Sequence, residues 1–171
     1  VTKPGRIIVM GVSGCGKSTV GEQLAEYYEV PFFDADDYHS SHSVKKMAAG
    51  EPLTDADRVE WLDRLAGLVA EHKDVVLACS ALKERYRVQL GQLSVPSPRF
   101  IYLAGDFALI RERLRARTGH YFSGDEMLHS QFNTLEVPEP EKAAHISIDA
   151  PLDKVLSRCR AYIDGSSSTN I

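Results

Sequence analysis

The stretch Gly11-Val12-Ser13-Gly14-Cys15-Gly16-Lys17-Ser18-Thr19 constrains this chain more than any other, because it lies between the apolar run Ile7 to Met10 and a helix-like segment from Val20 to Tyr28. Strand, glycine-rich turn and helix in that order are the context of a phosphate-binding loop, or P-loop. Its glycines let successive N–H groups turn inward around phosphate oxygens, and the helix that follows adds the positive end of its dipole. Lys17 can bring a charge to the β- and γ-phosphates. The hydroxyl of Ser18 can ligate a Mg²⁺ shared with a nucleoside triphosphate such as ATP. A plain strand-to-helix turn would need neither Gly11 nor the Lys17-Ser18 pair. Gly11 to Thr19 are therefore the expected nucleotide contacts.

The rest of the chain alternates strand and helix signals. Val20, Leu24 and Tyr27 recur at helical spacing, Pro31 follows the helix, and Phe32-Phe33 opens a second strand that ends at Asp34-Ala35-Asp36-Asp37. Ser43 to Ala49 reads as a short helix. Thr54 with Asp57 three residues on reads as the cap of a longer one, striped by Trp61, Leu62, Leu65, Leu68 and Val69. Further strands are expected at Val75 to Ala78, Phe100 to Leu103 and Ile146 to Ile148, with helices to about Leu90, from Phe107 to Arg117 and from Leu152 to Ile163. This order predicts an α/β fold, a five-stranded parallel sheet flanked by helices on both faces, in one domain over 1–171. Gly119 and Gly124 bound a stretch without pattern, so 118–125 is expected to be a mobile lid and 165–171 a frayed tail.

Composition narrows the function. A formal net charge of −4 argues against a general nucleic-acid or anionic-membrane binder. The three cysteines, Cys15, Cys79 and Cys159, are odd in number and far apart, with no zinc spacing, as expected of a reduced intracellular protein in the cytoplasm. No apolar run is long enough to span a bilayer.

Several polar residues can carry chemistry. Asp34 and Asp36 follow a strand end, where an open α/β sheet holds its ligands, and in extended chain they project to the same side. One carboxylate can hold the Mg²⁺ hydration shell and the other accept the proton of an attacking hydroxyl; a solvated turn is the bland alternative. Ser80, Lys83 and Arg87 follow the third strand, and Lys83 and Arg87, four apart on the expected helix, would share a face able to hold an anion. Arg113 and Arg117 share a face beside the lid and could clamp phosphates. His39 reads as a polar loop residue, and Trp61 with its leucine stripe as core. The N–H groups and Lys17 near Cys15 would favour a thiolate, although a small residue tolerated in the loop is the simpler reading.

With these residues in view, the chain resembles the gluconate kinases, small P-loop kinases related to shikimate and nucleoside monophosphate kinases. The resemblance runs from Ile7 to about Ile163. It rests on the P-loop, Asp34 to His39, Lys46-Met47, Gly50 to Arg58, Cys79 to Lys83 with Tyr86-Arg87, Gly119 to Phe122, and Gln131 to Glu136. It implies a P-loop kinase fold and transfer of the γ-phosphoryl group of ATP to the 6-hydroxyl of D-gluconate. It implies Asp34 and Asp36 near Mg²⁺ and the acceptor, and His39, Arg58, Ser80, Lys83 and Arg87 around gluconate. Arg113, Arg117 and His120 would belong to the nucleotide lid, and the family is expected to be dimeric. Tyr121, Cys15 and Asn133 stand where Phe, Ser and Glu are familiar, and none of these departures removes a charge the reaction needs. A shikimate-type kinase is the nearest alternative, disfavoured because Cys79-Ser80-Ala81 stands where a Gly-Gly-Gly run would be expected. A nucleotide-dependent switch is disfavoured because neither an Asn-Lys-x-Asp sequence nor an apolar strand ending in Asp at Val75 to Ala78 is present.

Overall fold

In the computed structural model, which describes residues 2–118 and 125–165, the strand before the P-loop is the middle of the sheet. That strand, β1 (Arg6–Met10), lies between β3 (Val75–Ala78) and β4 (Arg99–Ala104), with β2 (Phe32–Asp34) and β5 (Ala143–Ser147) at the edges. All four pairings are parallel, in the order β2-β3-β1-β4-β5. Ile7, Ile8, Val9 and Met10 are each fully buried because both faces of the strand are covered. Ile7 and Val9 pack into one hydrophobic cluster with α1 (Lys17–Tyr28) and α7 (Leu152–Gly165). Ile8 and Met10 pack into the other, with α3 (Asp55–Ala70) and α4 (Glu84–Gly91). The remaining helices of the described residues are α2 (Ser41–Ala48), α5 (Phe107–Thr118) and α6 (Asp125–Thr134). His120, most of the expected lid and the expected tail beyond Gly165 lie outside the described residues.

The strand order reverses beside β1: the chain runs out to β2, returns to β3, then crosses to β4 on the other side. Ligand crevices in open α/β sheets form at such a switch point, beyond the carboxyl ends of the strands, and the loop after β1 occupies it.

Several boundaries differ from the sequence expectation for physical reasons. The inward stripe of α1 is Val20, Leu24 and Tyr28, not Tyr27, which is exposed under the guanidinium of Arg160 at 4.7 Å. Tyr28 is buried and satisfies its hydroxyl by donating to Asp164 Oδ1 at 2.9 Å. Strand β5 begins at Ala143 rather than Ile146: as an edge strand it carries exposed residues such as His145, so its apolar signal is diluted. Helix α3 begins as expected, with the Thr54 hydroxyl accepting from Asp57 N–H and the Asp57 carboxylate accepting from Thr54 N–H. Lys46 of α2 reaches the same carboxylate at 2.9 Å, which ties α2 to the start of α3.

Candidate active site

The loop Gly11–Gly16 turns tightly against the sheet, with Cys15 N–H donating to Val12 O and Gly11 N–H donating to Ser80 O beyond β3. Gly14 has φ 85°, and a Cβ there would lie 2.7 Å from Leu114 Cγ, so the residue is glycine for both conformation and space. Gly16, at φ 92°, caps α1 with no side chain over the helix end, leaving the first-turn N–H groups of α1 facing the cleft. Cys15 is buried, and burial pushes its thiol pKa up despite Lys17 nearby. Desolvation outweighs the lysine and favours the neutral thiol, in keeping with the simpler reading of Cys15 as a small residue tolerated in the loop. Cys15 fills a narrow space under the loop, where a Cβ on Gly11 would meet its Sγ at 2.6 Å.

Opposite the loop, Ser18 Oγ donates to Asp34 Oδ2 at 2.7 Å, and Asp34 Oδ1 accepts from Asp36 N–H at 3.0 Å. Asp34 and Asp36 do not project from one face of an extended strand. Asp34 caps a 3₁₀ turn over Ala35–Tyr38, so the chain is no longer extended at Asp36. The turn nevertheless brings Asp36 to the wall of a cleft of about 220 Å³ that Lys17, Ser18 and Arg117 also line. The paired hard oxygens of Ser18 and Asp34 suit a Mg²⁺ ion completed by phosphate and water. Among the described residues no group of three or more His, Cys, Asp or Glu side chains is arranged to hold a metal by itself. The donor set therefore fits an ion delivered with a nucleotide.

Two cavities flank the loop. The first, of about 230 Å³, runs from Gly14, Cys15, Gly16 and Thr19 to the apolar Ile148, Leu152 and Val155, with Arg113 and Arg117 of α5 on its wall. Arg113 also donates to the carbonyl of Ile148, fixing α5 against the segment after β5. The second, of about 310 Å³, gathers Arg58, Trp61, Ser80, Lys83 and Gln131 on the side of α3 and α4. Ser80 and Lys83 lie on a turn in which Ala81 takes a left-handed φ of 45°. That turn is held by Arg87, whose guanidinium donates to Ala81 O at 2.7 Å and to Glu136 O at 2.8 Å, and by Glu136 N–H, which donates to Leu82 O at 2.7 Å.

These contacts revise the expected anion-binding pair. Lys83 is the cap residue before α4, in extended conformation, so it does not share a helix face with Arg87. Arg87 is buried and bonded to carbonyls rather than open to the second cavity. His39 is stacked on Trp61 with ring centroids 4.4 Å apart, and its buried Nδ1 has no protein partner among the described residues. Burial lowers its pKa and favours the neutral ring. Trp61, read from spacing as core, is only half-buried and lines the second cavity, its Nε1 donating to Ala35 O at 2.8 Å.

Sequence reasoning left the stretch from Gln131 to Glu136 without a role. Gln131 on α6 meets the P-loop directly, its Oε1 accepting from Ser13 N–H at 2.7 Å and its Nε2 donating to Ser13 Oγ at 2.9 Å. No local pattern could have revealed this contact, because its partners are 118 residues apart.

With this geometry in hand, comparison with known proteins is decisive for the family. The family model for shikimate kinase matches residues 13–162. A probable gluconokinase of Rattus norvegicus is 46% identical, over 89% of this chain and 94% of that protein. The thermoresistant gluconokinase of Escherichia coli K12 is 41% identical, over 88% of each. The crystal structure of a gluconokinase from Sinorhizobium meliloti 1021 superposes with a TM-score of 0.89 at 37% identity, covering 98% of this chain and 96% of that one. The chain belongs to the gluconokinases, within the wider shikimate kinase family of P-loop proteins.

Proposed function

We infer that the protein transfers the γ-phosphoryl group of ATP to the 6-hydroxyl of D-gluconate, releasing ADP and 6-phosphogluconate. The observation that carries this reading is the second cavity, where the cations Arg58 and Lys83 and the hydroxyl of Ser80 meet, apart from the cavity lined by Arg113 and Arg117. Gluconate is an acyclic anion with a carboxylate at one end and a primary hydroxyl at the other. Arg58 and Lys83 suit the carboxylate, and Asp36 suits the hydroxyl. Arg87 contributes indirectly, by holding the turn that carries Ser80 and Lys83. The neutral, stacked His39 is a hydrogen-bonding group near the same wall.

On the donor side, the aliphatic wall of Ile148, Leu152 and Val155 suits the nucleobase, and Arg113 and Arg117 suit the phosphates. Lys17 stabilises charge on the transferring group. A Mg²⁺ ion bound at Ser18 and Asp34 would neutralise phosphate charge and orient the γ-phosphate. In the reaction the gluconate O6 forms a bond to Pγ, the bond from Pγ to the β,γ-bridging oxygen breaks, and the O6 proton passes to Asp36. We read residues 1–171 as one kinase domain, and the three free, buried cysteines suit a reducing compartment such as the cytoplasm. Among the described residues no helix is long and apolar enough to cross a membrane.

The two ends of the acceptor should fail differently. Lys83→Ala should raise the gluconate KM by roughly 10- to 100-fold, the weight of a hydrogen bond to a charged group, with little change in kcat. Asp36→Asn should lower kcat on the order of 10²-fold or more with a smaller effect on KM. Steady-state kinetics with gluconate varied at saturating Mg-ATP separates these outcomes. A Lys83→Ala enzyme with unchanged gluconate KM would overturn the carboxylate assignment.

A further inference from the structure

The P-loop and the acceptor cavity are built from different parts of the chain, and one side chain borders both. Gln131 lines the cavity with Arg58, Ser80 and Lys83, while its amide grips Ser13 through both of its ends. Helix α6 is also held to α5, by Phe132 against Phe107 and by the Asp125 carboxylate on the Arg111 guanidinium at 2.9 Å, and its Leu128 is fully buried. Those contacts set the helix against α5 and the core, but none of them is made to the P-loop. The two hydrogen bonds from Gln131 to Ser13 make that link.

We propose that Gln131 is a positioning residue, which sets the acceptor cavity in register with the P-loop so that the attacking hydroxyl is aligned with the γ-phosphate. The proposal rests on the kinase reading above. A primary amide suits the place for a specific reason: it offers one acceptor to the Ser13 N–H and one donor to the Ser13 hydroxyl, and it adds no charge beside the triphosphate. Phosphoryl transfer depends on the reacting atoms being held close and in line, and a displacement of about 1 Å can cost on the order of 10²-fold in rate. Releasing the loop from α6 therefore acts on alignment more than on the affinity of either substrate.

Three variants test this. Gln131→Ala removes both bonds and should lower kcat by about tenfold or more, with both KM values within about threefold of the wild type. Gln131→Glu can still accept from the Ser13 N–H and from its hydroxyl, so kcat should recover most of that loss. Its added charge should raise the KM for Mg-ATP and, because Gln131 also lines the acceptor cavity, the KM for the gluconate anion as well. Ser13→Ala removes one of the two bonds, and the double variant with Gln131→Ala should be no slower than Gln131→Ala alone. Amide hydrogen exchange over residues 12–15, expected to quicken in Gln131→Ala, reads the loop contact without any acceptor. A wild-type protein inactive on gluconate would refute the acceptor assignment, leaving the exchange measurement to test the clasp. Wild-type kcat in Gln131→Ala, multiplying losses in the double variant, or unchanged exchange would each overturn the proposal. Should Gln131→Ala fail to fold, Gln131→Glu decides: a kcat loss as large as that of Asp36→Asn, with normal KM for Mg-ATP, contradicts it.

Discussion

At the scale of single residues, Lys17 and Cys15 are neighbours of opposite character. Cys15 is buried under the loop, with its thiol pushed toward the neutral form, while Lys17 lines the cleft with Ser18 and Asp36. Lys17→Ala should leave the fold intact and lower turnover on the order of 10³-fold or more, about 4 kcal/mol of barrier, because it removes charge stabilisation from the transferring group. Circular dichroism and ADP release measured together check this, and near-wild-type turnover in a folded variant would contradict it. Residues carried by a local motif were legible in the sequence: the loop spacing marks Lys17 and Ser18 by itself. Residues that act across the chain were not. The stacking of Trp61 on His39 and the grip of Gln131 on Ser13 depend on contacts 22 and 118 residues apart. Arg87 misled for the same reason, since its carbonyl partner on Glu136 comes from a distant segment.

At the scale of elements, the start of α3 carries Arg58 and Trp61, and its setting depends on a cap. The Thr54 hydroxyl and the Asp57 carboxylate cap α3 reciprocally, and Lys46 joins the same carboxylate from α2. Thr54→Ala should cost about 1 kcal/mol of stability, measurable by denaturant unfolding; no loss would contradict the capping role. The hydrogen bond from Lys46, followed by that from the Thr54 backbone, holds the Asp57 carboxyl well below the usual carboxylate range. The folded state thus binds the ionised form more tightly than the unfolded state does. Its contribution is complete above the ordinary carboxylate pKa of about 4 and is lost as pH falls below it toward the folded value. The Tm advantage of the wild type over Asp57→Asn should therefore be full at neutral pH and shrink in acid; an advantage independent of pH would contradict this origin. The cap was legible from Thr54 and Asp57 alone, because capping is local. The start of β5 was not, because an edge strand gives a weak apolar pattern.

At the scale of the whole molecule, the reversal of strand order beside β1 puts the P-loop at the switch point of the sheet, and two cavities adjoin it. One is lined by the loop itself with Arg113 and Arg117, and the other gathers Arg58 and Lys83 with Ser80 and Gln131, which bond to the loop. The alternation of strand and helix gave away the parallel sheet, since the central strands β1 and β3 are almost wholly apolar and must be covered on both faces. What alternation does not carry is which strand ends come together, and hence that the turn after β3 and the end of α6 form one wall. The central claim is that this wall selects a linear sugar acid. The most direct test is ADP release by the wild-type protein with Mg-ATP and, in separate reactions, D-gluconate, shikimate, D-glucose, a nucleoside monophosphate or no acceptor. Gluconate should support rapid turnover and glucose little, because a neutral sugar brings no carboxylate to Lys83 and Arg58. Turnover with shikimate or glucose matching that with gluconate, or ADP release indifferent to any acceptor, would contradict it.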